Sequence, residues 1–201
     1  MIYTSFATEN NDYKKVVEYY LIPSLIKFNL PYYIDYIKSN GDWSNNILYK
    51  PTFLKKMLLK HKQPIVSLDA DAQIMKYTSL FSELDEYDIA LHYLDNGLQW
   101  RGIPSPNGQK EALGGTLWIN YNNKVMNFIN KWIDIQKIDK GFPQKVMQKL
   151  LEKNEFNLKI YKLPYSYATI VKQDDTLPIH MIEKEEIVIL HNQISRKLRR
   201  G

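Results

Sequence analysis

The chain opens on IYTSFAT, residues 2–8, where β-branched and aromatic side chains alternate with small ones, a pattern that predicts a first strand. YKKVVEYYLIPSLIKFN follows, with Val16, Tyr19, Tyr20 and Ile26 at spacings near three and four. That is the period of an amphipathic helix, and Pro23 inside it predicts a kink or a break. PYYIDYIKS returns to a strand pattern, with Tyr33 and Ile37 on one face and Ile34 and Tyr36 on the other. SNNILYKPTFLKKMLLKHKQ, residues 44–63, predicts one helix with Pro51 in its first turn. PIVSL (64–68) and DIALHYL (88–94) predict a third and a fourth strand, with the segment around TSLFSELDEY between them.

Strand and helix thus alternate over the first 95 residues, which calls for an α/β domain with a mixed, mostly parallel sheet flanked by helices. The second half is less regular. It holds a loop rich in Gly, Pro and Asn (RGIPSPNGQKEALGG, 101–115), the strand TLWIN, the helices NKVMNFINKWIDIQ and FPQKVMQKLLEKN, a pair of strands and a basic tail. No repeat, low-complexity segment or linker divides the chain, and its 201 residues suit one domain spanning 1–201 with a proper core.

Composition narrows the class. No run of about 18 apolar residues predicts a membrane span. The start, MIYTSFATEN, lacks the basic and apolar regions of a signal peptide, so the expected location is the cytoplasm, or the host cytoplasm for a viral protein. Lysine, Asn, Ile and Tyr are plentiful, as an AT-rich viral or low-GC bacterial genome would give. There is no cysteine, which removes disulfides, thiolate metal sites and cysteine nucleophiles. The net charge of +5 suits an anionic ligand, or serves solubility alone. Part of it is concentrated in ISRKLRR, where Arg196, Lys197, Arg199 and Arg200 crowd the end of the chain.

The chemistry gathers at PIVSLDADAQIM. In parallel sheets ligands sit at the carboxyl ends of strands, and Asp69 and Asp71 fall at that end of the third strand. Residues two apart on an extended chain point the same way, so both carboxylates face one crevice with the small Ala70 between them. Like charges that close resist ionisation. A divalent cation removes the cost, and hard oxygen ligands suit magnesium or manganese. The alternative is a pair of solvated turn aspartates. A D-x-D tripeptide is expected about once by chance in a chain with this many aspartates, so its context carries the information.

VSLDADAQI resembles the DxD signature of the GT-A glycosyltransferases, the nucleotide-diphospho-sugar transferases. The resemblance runs along most of the chain: the first strand and its loop, Trp43 with Lys50 and Pro51, the strand into DAD, the EYDIA strand, GGTLWIN, and a late strand ending in His191. It implies a single Rossmann-like GT-A domain moving a hexosyl or pentosyl group from a nucleoside-diphosphate sugar, most often a UDP-sugar, to an acceptor hydroxyl. In such enzymes the DxD aspartates hold Mn2+ or Mg2+ against the donor diphosphate. The resemblance makes Asp71 the firm metal ligand, Asp69 the partner on the metal and ribose side, and His191 the third ligand, with Arg196 and Lys197 near the phosphates. It sets Phe6, Ala7 and Thr8 against the base, Tyr13 as a stacking residue, Lys50 toward the phosphates or base, and Gly114, Gly115 and Thr116 along the donor sugar and acceptor. His61, His92 and His180 are read as structural or exposed.

One departure stands out. Related enzymes often start the helix after the GG strand with an acid and a glutamine; here Gln144 fits, but Pro143 stands where the acid is expected. If an inverting reaction needs a carboxylate base, Asp139 is the first choice and Glu111 the second. Loop 101–115 is the candidate acceptor-side flap, ordering when donor binds. Two other classes compete. A haloacid-dehalogenase-type phosphatase also uses a D-x-D pair, Asp69 as nucleophile and Asp71 as acid/base, but its motif normally lies near the amino terminus and continues with threonine. A basic nucleic-acid-binding protein would use the tail and the tyrosines. It merges with the first reading if the acceptor, instead of a glycan, is DNA carrying a modified base.

Overall fold

The computed structural model describes residues 1–9, 12–172, 174, 176–178 and 181–194. β1 (Ile2–Thr8) leads into a helix of three pieces: α1 (Asp12–Val16), one π-helical turn over Val17–Leu21, and α2 (Ile22–Lys27). The π turn is how the helix accommodates Pro23. A proline lacks the N–H for the carbonyl four residues back, and its ring crowds that carbonyl. The widened turn takes up the conflict, with the Ile22 N–H donating to the Val17 carbonyl five residues back.

β2 (Tyr32–Ile37) is followed by α3 (Trp43–Ile47) and α4 (Lys50–His61). The single helix expected over 44–63 is therefore two. Pro51 has no N–H to give the Ile47 carbonyl, so the chain turns at Leu48 and Tyr49 and α4 begins anew with Pro51 in its first turn. Next come β3 (Ile65–Leu68), β4 (Ala72–Ile74), a 3-10 turn at Leu80–Glu83, β5 (Ile89–Leu91) and β6 (Tyr93–Leu94). The strand expected over 88–94 splits because its partner changes at His92. Before it, β5 joins the central sheet; after it, the chain pairs with Glu111 and Ala112. The remainder is α5 (Asn96–Arg101), β7 (Glu111–Ala112), β8 (Thr116–Ile119), α6 (Asn123–Ile138), α7 (Pro143–Lys153), β9 (Ile160–Lys162), β10 (Thr169–Ile170) and β11 (Ile189–His191).

Among the described residues the central sheet has six strands in the order β2-β1-β3-β8-β5-β9. Its pairings are parallel except those of β8, which runs antiparallel to both β3 and β5. This reversal positions the site. With Leu68 opposite Thr116, the start of β8 lies at the carboxyl end of β3, so the Gly114–Gly115 loop meets Asp69, whose N–H donates to the Gly115 carbonyl at 2.9 Å. A second sheet, β10-β11-β4, has the same effect on the other flank: His191 pairs with Ala72, next to Asp71.

The sheet separates two apolar layers. Ile65, Ile89, Leu91, Leu117 and Ile119 face α4, α6 and α7, where Phe53, Met57, Phe128, Trp132 and Met147 are buried. Tyr3, Val66, Leu68, Ala90 and Trp118 face the other way, toward Val17, Leu21, Leu25 and Phe81. Alternate residues of each strand feed alternate layers, as the pleat requires. Among the described residues no helix is long and apolar enough to cross a membrane.

α6 is started by Asn122, whose side-chain oxygen accepts the Val125 N–H at 3.0 Å while its amide donates to Asp88 Oδ1 at 2.7 Å. Asn122→Ala removes the cap and leaves a buried carboxylate short of a donor. We expect a loss of about 1–2 kcal/mol in urea unfolding, with the slope unchanged.

Candidate functional site

A cleft of about 560 Å³ opens at the carboxyl ends of β1 and β3, where a largely parallel sheet places its ligands. Phe6, Ala7 and Thr8 from the end of β1 form one wall with Tyr13, and Trp43, Asn46, Ile47 and Lys50 from α3 and the start of α4 form the next. α5, β7, the Gly114–Thr116 stretch and the start of α7 complete the lining. Trp43 and Phe142 stack at a ring separation of 6.0 Å and an interplanar angle of 30°.

Asp69 and Asp71 both line this cleft. Asp69 is half exposed, and its Oδ1 lies 3.1 Å from the Nζ of Lys50, a lysine otherwise buried at the head of α4. The Ala72 N–H donates to the Asp69 carbonyl at 3.0 Å, which turns the chain between the aspartates. Asp71 is recessed. Its Oδ2 accepts the Ile194 N–H at 2.9 Å, and its carbonyl accepts from the Asn192 side-chain amide at 3.0 Å. Burial, and then the neighbouring charge of Asp69, push the Asp71 carboxyl up to about 7, against the lowering effect of the Ile194 hydrogen bond.

His191 is 5% exposed. Burial holds its imidazole below the ordinary value, as does the Lys50 charge, while Asp69 pulls the other way. Its Nε2 lies 2.9 Å from Thr116 Oγ1. When Nε2 carries the proton and donates to that hydroxyl, the Nδ1 lone pair faces the cleft. Gly115 explains how the groups come so close. A β-carbon there would fall 3.1 Å from His191 Nδ1 and 3.2 Å from Asp69 Oδ2, so the two share the space a side chain would fill.

Glu111 also lines the cleft. Its Oε1 accepts from Gln144 Nε2 and its Oε2 from Asn96 Nδ2, both at 2.6 Å. Gln144 in turn accepts the Gly114 N–H at 2.8 Å, so both ends of its amide bond within the chain. Asn96 is the residue that sequence reasoning missed. A lone amide after Asp95 looks like an ordinary helix start, and Asp95 does cap α5 by accepting the Leu98 N–H at 3.0 Å. Asp95 also accepts from the backbone and hydroxyl of Ser105, at 2.9 and 2.7 Å, which staples the base of the loop expected to act as a flap.

Thirteen of the sequence-derived candidates converge on the cleft: Phe6, Ala7, Thr8, Tyr13, Lys50, Asp69, Asp71, Glu111, Gly114, Gly115, Thr116, Gln144 and His191. Asp139 is not among them. It is exposed at the end of α6, where its side chain accepts the Gly141 N–H at 2.9 Å. Arg196 and Lys197 lie outside the described residues, as does His180. His92 is structural, with Nδ1 2.8 Å from the Leu163 carbonyl. His61 is half-buried at the end of α4 against Tyr33.

The donor set at Asp69, Asp71 and His191 suits a divalent cation by its chemistry: two hard carboxylates, one of them recessed beside a like charge, and an imidazole kept neutral. Among the described residues no three acidic or imidazole groups already converge on one point.

No family model matches the chain, and no curated protein matches it in sequence. Solved structures do match in fold. A glycosyltransferase involved in glycosylating the major capsid of PBCV-1 superposes with a TM-score of 0.67 at 11% identity, covering 99% of this chain and 97% of its own. Mouse xyloside xylosyltransferase 1 gives 0.56 at 12% identity, over 97% and 99% of the two chains. The glycosyltransferase GlyE of Streptococcus pneumoniae gives 0.57 at 14% identity, over 96% of this chain and 54% of GlyE. The fold is that of GT-A-like glycosyltransferases.

Proposed function

We propose that the protein is a metal-dependent glycosyltransferase that moves a sugar from a nucleoside-diphosphate donor, a UDP-sugar first among the candidates, to an acceptor hydroxyl. The observation that carries this reading is the placement of Asp69, Asp71, His191 and Lys50 along one cleft at the carboxyl end of β3, large enough for a sugar nucleotide. The glycosyltransferase fold supports it. The three solved structures named above are all glycosyltransferases, and none of them supports the phosphatase or the nucleic-acid-binding reading.

Asp69, Asp71 and His191 would hold Mn2+ or Mg2+, which neutralises charge developing on the departing diphosphate. Lys50 supplies a fixed positive charge beside the same oxygens, already in place because Asp69 holds it. Phe6, Ala7 and Thr8 offer an extended backbone edge to the base, and Tyr13 an aromatic face. Gly114 and Gly115 let the main chain approach the transferred sugar. The acceptor is a glycan hydroxyl or a hydroxyl on a modified DNA base.

A thermal-shift screen of nucleoside diphosphates and sugar nucleotides, each with and without manganese, tests the reading. One nucleotide at 100 times its Kd should stabilise the protein by about 2.7 kcal/mol, several degrees in Tm, and only with the metal present. If no nucleotide moves Tm with or without manganese, the transferase reading fails.

A further inference from the structure

Glu111 stands apart from the metal-side pair. Among the described residues it is the remaining carboxylate that lines the cleft, and no lysine or arginine pairs with it. Its partners are two amides at 2.6 Å, one from α5 and one from the start of α7. Each is fixed from behind. Trp100 Nε1–H donates to Asn96 Oδ1 at 3.2 Å, and Gly114 N–H donates to Gln144 Oε1 at 2.8 Å. The short strand carrying Glu111 is itself tied to α7, where Gln148 accepts the Ala112 N–H at 3.2 Å. A carboxylate offers about four acceptor sites, and the two amides occupy two of them. The other two are left for a ligand that donates.

The charge layout says which end of a ligand this is. With the proposed cation at Asp69 and Asp71, Lys50 marks the diphosphate end of the cleft. A fixed negative charge repels a diphosphate, so Glu111 faces a neutral group rich in O–H donors. The indole of Trp100 and the side chains of Leu94 and Leu113 line the cleft beside it, as the apolar face of a sugar ring requires.

We propose that Glu111 is the sugar-reading residue of this cleft, accepting hydrogen bonds from ring hydroxyls, with Asn96 and Gln144 as the positioning residues that aim it. The inference rests on the glycosyltransferase reading. It takes Gln144 away from direct donor contact and gives it the task of aiming Glu111. Ring hydroxyls can belong to the transferred sugar or to the receiving one, and the experiment separates the two.

Titrations compare a UDP-sugar with UDP, in the presence of manganese, on the wild type and on Glu111→Gln. If Glu111 reads the transferred sugar, the extra affinity of the sugar nucleotide over the diphosphate falls about 10- to 100-fold in the variant, while UDP affinity is unchanged. If it reads the receiving sugar, that difference is kept and KM for a methyl glycoside acceptor rises by the same factor. Asn96→Ala and Gln144→Ala should change the same constant by less, and should add nothing in the Glu111→Gln background. Glu111→Asp, which keeps the charge but shortens the arm, should lose the same constant and guards against misfolding of the first variant. Wild-type constants in Glu111→Gln and Glu111→Asp would overturn the proposal, as would full additivity with Asn96→Ala. A wild type that binds no sugar nucleotide sinks the transferase reading itself and is distinguishable from either result.

Discussion

Asparagine at position 71 is expected to lower sugar transfer by roughly 10²–10³-fold, on the scale of losing one group that stabilises the developing charge, and at the same time to raise the Tm of the metal-free protein above pH 7. The two effects have one cause. Burial and Asp69 lift the Asp71 carboxyl from 3.8 to about 7 in the folded protein. A carboxyl whose folded value is raised costs nothing while it stays protonated in both states, below about pH 4. The cost grows as the unfolded chain ionises and the folded one does not, and it levels off above pH 7 at about 4 kcal/mol as an upper figure. The wild type should therefore lose stability between pH 4 and 7 in EDTA, whereas Asp71→Asn should not. Manganese should restore the wild type and leave the variant unmoved. Parallel Tm-versus-pH curves for the two proteins in EDTA would refute the account.

Gly115→Ala should damage the same centre by a steric route. Its methyl group would fall 2.9 Å from His191 Cε1, 3.1 Å from Nδ1 and 3.2 Å from Asp69 Oδ2. The first distance is shorter than real β-carbons tolerate, and His191 is buried with its far nitrogen committed to Thr116. The ring must move, and Asp69 with it. We expect transfer to drop about 100-fold, the range a displacement near 1 Å produces, and stability to fall by about 1–3 kcal/mol. Nucleotide titration with manganese checks it: wild-type affinity and turnover in Gly115→Ala would mean that His191 has no part in the site.

Much of this centre was legible in the sequence because its parts lie next to strong patterns. PIVSL is an unbroken apolar run, and such a run into two aspartates marks a strand end whatever surrounds it. TLWIN was equally visible as a strand, but a run of apolar residues carries no direction, so the antiparallel placement of β8 between β3 and β5 was not readable. β4 and β10, of three and two residues, are too short to show a period. As isolated acids, Asp139 ranked ahead of Glu111, and the structure reverses that order in the cleft. What separates them is that α6 ends in solvent whereas β7 faces the cleft, a difference of tertiary packing. Asn96 carries no motif at all, since amides that aim a carboxylate act through geometry alone.

The pairing of β11 with β4 also sets the order in which the protein acquires its chemistry. The chain leaves the ribosome amino end first, at about 5–20 residues per second, so Asp69 and Asp71 emerge on the order of ten seconds before His191. In that interval β1, β2, β3, β8 and β5 are all available to pair, but Asp71 has neither the Ile194 amide nor the His191 strand beside it. Its carboxylate is still in water and carries no desolvation cost. The electrostatic load of the centre thus falls on β11, which arrives after the hydrophobic layers can already bear it. On the proposed function, recovery of nucleotide binding on refolding becomes a clock for the docking of β11.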